Sequence, residues 1–207
     1  MNRFLRGGFL VFAALISTAG VALASKTVIK TKGADVSGSF SLQEVETCAG
    51  GSTALRTTQV GIDMFESTTT TNGVPSTVLE ASVGVDRFDG CNFVSSFGSG
   101  LFQGVGSLTL TALQTGKITG HYSLDDGTVL DVNLTLTGSD TTSLGTNARR
   151  SILGKVMVIQ RSIGTSRTAT LSGTVTVDGR SISTAQATST DGMLARNTGG
   201  VITIIKP

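Results

Sequence analysis

Between Ser107 and Thr137 the chain reads SLTLTALQTGKITGHYSLDDGTVLDVNLTLT, with apolar and hydroxylated residues alternating through most of its length. A period of two is the pattern of strands that bury one face. Leu108, Leu110 and Ala112 form one apolar set, Ile118, Gly120, Tyr122 and Leu124 a second, and Leu130, Val132, Leu134 and Leu136 a third. Three consecutive antiparallel strands can bury all three sets together only if the turns keep them on one face, because a slip of one residue turns a strand over.

That condition selects the turns. A two-residue turn at Asp126-Gly127 sets Leu130 against Ser123 and mixes the faces. A three-residue loop, Asp125-Asp126-Gly127, with Gly127 in the left-handed region, pairs Tyr122 with Leu130, Gly120 with Val132 and Ile118 with Leu134. The same logic predicts a loop of Gln114-Thr115-Gly116, pairing Ala112 with Ile118, Leu110 with Gly120 and Leu108 with Tyr122, with Gly120 leaving room for the neighbouring leucines. His121 then lies between Asp131 and Thr109 on the polar face.

The rest of the chain carries the same signature. Alternating stretches at 36–48, 55–65, 79–85 and 168–177 read as strands, and Asp178-Gly179 as a tight turn setting Ile182 against Val175. A Phe88-Asp89-Gly90 loop sets Val85 against Phe93 and Ala81 against Phe97, with Cys91 on the inward side. The segment 152–160 reads as one strand and 201–205 as the last. The polar segments 66–75, 138–150 and 188–200 read as long loops. Glycine is abundant at 27 residues and proline scarce at 2, as a chain of many tight turns requires. The expected fold is an all-β antiparallel meander of roughly ten strands, a barrel or a sandwich.

Arg3 and Arg6 precede an apolar run from Gly7 to Val21, which ends at Ala22-Leu23-Ala24. This predicts a secretory signal peptide over residues 1–24 and a single soluble domain over 25–207, exported to the periplasm or the exterior. Removing the leader takes away two basic residues, leaving 14 Lys and Arg against 14 Asp and Glu. A formally neutral chain gives no electrostatic footprint for nucleic acid or an anionic membrane. Cys48 and Cys91 are the only cysteines, and in an exported chain they are expected to form a disulfide.

Chemistry-bearing residues are few. His121, Asp131 and Thr109 compose a His-Asp-hydroxyl group, but on a strand face open to water and with no oxyanion site beside Thr109, so a cross-strand polar cluster is the better reading. Asp125 and Asp126 lack the alternating ligands of a calcium loop, and turn chemistry accounts for them. Arg149 and Arg150 mark a possible interaction loop. The threonine rows resemble a hydroxyl-methyl array interrupted by Lys117 and His121. An outer-membrane barrel would reverse the faces and needs aromatic girdles, whereas the chain has no Trp and one Tyr. These residues predict a non-enzymatic domain without a cofactor, with a structural or protein-interaction role. The alternative is a carrier whose partner is a small hydrophobic ligand held in an internal cavity.

Overall fold

A computed structural model describes residues 25–206, so the expected signal peptide lies outside the described residues. The chain forms β1 (Ser25–Thr47), β2 (Thr53–Thr71), β3 (Val74–Asp89), β4 (Val94–Gln103), β5 (Ser107–Thr111), β6 (Thr115–Ser123), β7 (Val129–Leu153), β8 (Val156–Val177), β9 (Arg180–Ser183) and β10 (Ser189–Ile205). A 3-10 turn at Thr184–Gln186, capped by Ser183, leads into the last strand. All pairings are antiparallel, in the order β4-β3-β2-β1-β10-β8-β7-β6-β5, with the short β9 against β8. The all-β expectation holds, and the sheet is not closed into a barrel.

The sheet curls so that β5 and β6 lie across β1, and β4 approaches β6. Its concave face encloses one core, in which Val36, Met64, Ile118, Tyr122, Leu134 and Leu194 are fully buried. Each large apolar side chain contributes about 1.5–3 kcal/mol on burial, which makes this face the source of the fold's stability. Gly116 permits the closure: a Cβ there would come within 2.5 Å of Leu194 and 3.0 Å of Val36. This face is turned inward, the reverse of the lipid-facing apolar belt that an outer-membrane barrel requires.

The three-residue Asp125-Asp126-Gly127 turn produces the expected register, with Tyr122 opposite Leu130, Gly120 opposite Val132 and Ile118 opposite Leu134. The Asp178-Gly179 turn likewise sets Ile182 opposite Val175. Gly120 makes room for the ring of Tyr122 itself, whose atoms lie 2.3–2.6 Å from a Cβ built there, rather than for leucines.

Two other registers differ from expectation. The β5–β6 turn is made by Ala112-Leu113-Gln114, so that Leu108 faces Ile118 and Thr109 faces Lys117. Ala112 and Leu113 take positive φ, 47° and 58°, a conformation that favours glycine, and the burial of Leu113 in the core offsets that penalty. The β3–β4 connection is longer than expected. Asp89 accepts hydrogen bonds from the backbone of Cys91 and Asn92 at 2.9 and 3.1 Å, delaying β4 to Val94. Val85 therefore faces Gly98 and Ala81 faces Phe102, while Phe93 and Phe97 point to solvent and Cys91 is half-buried.

The three expected long loops are strands. β2 runs to Thr71 and turns at Asn72-Gly73, β7 and β8 meet at Gly154-Lys155 inside the segment expected as one strand, and β10 begins at Ser189. These extensions create a second region. Beyond the core, the outer parts of β1, β2, β3, β7, β8 and β10 continue as a single-layer arm with neither face covered, comprising residues 25–34, 66–79, 142–166 and 196–206. A bulge between Gly138 and Thr142 in β7 marks where β6 ends and the arm begins.

Candidate interaction surface

An open sheet has two edges, and unpaired backbone along an edge is a template for another strand. In the body each edge is engaged at one point. On β4, Ser99 donates its backbone N–H to the Asp125 carboxylate at 2.7 Å, and its carbonyl accepts from the Asp125 backbone at 3.0 Å. On β5, the Leu110 carbonyl accepts from the Arg196 guanidinium at 2.7 Å.

In the arm the edges are bare. β6 pairs with β7 only as far as Thr137, so Thr142–Leu153 pairs with β8 on one side and with no described strand on the other. β4 pairs with β3 only from Glu80, which leaves 74–79 as the opposite edge, but Pro75 interrupts it by removing a donor. The β7 edge carries no proline, and Leu144, Ile152 and Leu153 on it are 70%, 63% and 84% exposed. Arg149 and Arg150 belong to this edge strand rather than to a loop, Arg149 opposite Gln160 and Arg150 opposite Ile159, on opposite faces. Sequence reasoning missed the strand because a segment that buries neither face has no apolar alternation to read.

The histidine group is incomplete. His121 Nδ1 lies 2.6 Å from Asp131 Oδ1 across the β6–β7 pair, with both side chains more than 60% exposed. Thr109, displaced by the β5–β6 register, faces Lys117 instead. The structure therefore brings two of the three residues together, on a solvated face. Asp126 serves its turn, accepting the Thr128 backbone N–H and hydroxyl at 2.9 Å each, and these bonds hold its carboxyl below the usual range.

At the end of the body away from the arm, Cys48 and Cys91 are joined in a disulfide with a Cα separation of 5.4 Å. Such a bond fits an oxidising compartment outside the cytoplasm. Glu46 and Asp89 converge beside it, but the Cys91 sulfur is committed to the disulfide and offers no thiolate. A neighbouring open cleft of about 370 Å³ holds three arginines, each engaged: Arg56 with Glu46 at 3.5 Å, Arg87 with Asp178 at 2.7 Å, and Arg180 with Glu44.

No protein-family model and no curated protein matches the sequence. Among solved structures, a candidate AttH protein from Nitrosomonas europaea aligns over 86% of this chain at 11% identity with a TM-score of 0.33. The chain spans about half the length of that structure, 51%. An acetoacetate decarboxylase-like enzyme from Sphingomonas wittichii aligns over 86% of this chain and 91% of its own at 11% identity, with a TM-score of 0.21. No helix among the described residues is long and apolar enough to cross a membrane.

Proposed function

We propose that this chain is an exported, non-catalytic β domain that binds other proteins through its arm. The observation that carries the reading is the β7 edge, Thr142–Leu153, twelve residues with no strand on one side among the described residues, whereas the body edges are each engaged at one point, Ser99 on β4 and Leu110 on β5. Addition of a partner strand there satisfies the free backbone groups, and alternate side chains such as Leu144 and Ile152 supply selectivity. The carrier alternative gains no comparable support, because the interior is filled by Tyr122, Met64 and the leucines of β7.

A photo-crosslinking residue at Asn147 in the exported chain tests the reading. A discrete protein adduct that disappears when Thr146→Pro and Ala148→Pro interrupt the edge is the expected result. No adduct, or a hydrolytic activity abolished by His121→Ala, overturns it.

A further inference from the structure

Formal neutrality over residues 25–207 conceals a separation of charge. The arm holds nine of the 14 lysines and arginines that follow the leader, and of the 14 acids only Glu66. The remaining acids therefore lie outside the arm. Among the described residues no arm cation forms an ion pair; the four ion pairs involve Arg56, Arg87, His121 and Arg180, all in the body.

The arm cations are also sorted by face. Cross-strand partners share a face, so pairing across β1, β10, β8 and β7 defines rows. The face continuous with the core contains Lys30, Gly200, Arg161 and Ala148 in one row and Val28, Ile202, Ile159 and Arg150 in the next. Lys26, Ile204, Met157 and Ile152 follow, and Lys32 lies one row nearer the body. Cations and large apolar residues thus alternate over one surface. The opposite face reads Thr31, Gly199, Ser162 and Asn147, then Ile29, Val201, Gln160 and Arg149, then Thr27, Thr203, Val158 and Ser151, and at the tip Ser25, Ile205, Val156 and Leu153; it is apolar in part but holds only one charge within the arm, Arg149. At the tip, Leu153 flanks the Gly154-Lys155 turn, and Ile205 is 45% exposed beside it.

We propose that the arm docks on an anionic phospholipid bilayer, with the core-side face on the headgroups and the Leu153 tip in the interfacial zone. Basic side chains attract the phosphates, and long stems and interleaved Ile, Val and Met enter the headgroup boundary; a purely acidic protein partner would answer the charge but not the interleaved apolar side chains.

The test is co-sedimentation of the chain beginning at Ser25, which contains every described element, with vesicles of phosphatidylcholine alone or with one third phosphatidylglycerol. The expected result is uptake by the anionic vesicles at least tenfold stronger than by phosphatidylcholine, and lost in 0.5 M salt. Lys30→Ala with Lys32→Ala and Arg161→Ala should weaken it at least tenfold, and Leu153→Ser several-fold, while Lys117→Ala in the body leaves it unchanged. The wild-type comparison stands even if a variant misfolds. Equal uptake by both vesicles, no uptake, or salt-sensitive self-association without uptake overturns the proposal, the last by assigning the arm to the acid-rich body of a second copy.

Discussion

Three buried side-chain oxygens among the described residues have no hydrogen-bond partner: the Tyr122 hydroxyl and one carboxyl oxygen each of Asp35 and Glu46. Tyr122 is fully buried, its ring 5.0 Å from that of Phe102, and burial pushes its hydroxyl up to about 12. An unsatisfied buried hydroxyl is a liability, so Tyr122→Phe should leave stability unchanged or raise it by about 1 kcal/mol in chemical denaturation. A clear loss would reveal a partner for the oxygen. Asp35 lies where body meets arm, diagonal to Asp63 across β1 and β2. Burial, the Asp63 charge and a hydrogen bond to Asp63 push its carboxyl from 3.8 up to about 7. A raised carboxyl means that the folded state binds more protons than the unfolded state in that window. Stability conferred by the protonated Asp35 carboxyl is fully present below about pH 4 and is lost as pH rises through about 7. Asp35→Asn should flatten that slope and stabilise the protein at pH 8, as read from thermal midpoints across pH.

Strand by strand, legibility follows burial. The β6–β7 register was readable because Leu130, Val132, Leu134 and Leu136 all bury one face, and only one turn length keeps them there. The β5–β6 turn was not, because Ala112 and Leu113 adopt positive φ without glycine, and no residue type announces that. Nor was the β3–β4 turn, where the Asp89 side chain captures two backbone donors and shifts the register by an odd number, turning Phe93 and Phe97 outward. Of the arm, 152–160 and 201–205 were read as strands, but 66–75, 138–150 and the start of the last strand were read as loops because there the strands lean on their neighbours rather than on a core. Of the candidate site, the His121–Asp131 contact and the Cys48–Cys91 pair were legible, and the bare edge was not. That disulfide ties the β1–β2 connection to the β3–β4 connection, closing a loop over a sequence separation of 43. In the chain-entropy account this contributes about 4 kcal/mol, so reduction should lower the unfolding midpoint substantially. An unchanged midpoint would show that the hairpin ends are held by the Gly90 to Leu55 backbone bond and its neighbours alone.

Considered whole, the molecule divides its labour between a curled body that encloses the core and a single-layer arm that extends from it. The body buries Leu194, Val36 and Tyr122, while the arm exposes backbone and side chains in the same twelve-residue edge of β7. Arm and body also differ in sign, the cations gathered at one end and most of the acids at the other. Such a body is a large permanent electric dipole. In the field of a negatively charged surface it experiences a torque before it experiences contact, and tumbling becomes biased toward one orientation within the screening distance, about 8 Å at physiological ionic strength. On the anionic surface proposed above, the protein would arrive arm first, with the Cys48–Cys91 end facing the bulk solvent and its angle of approach selected by charge before any contact forms.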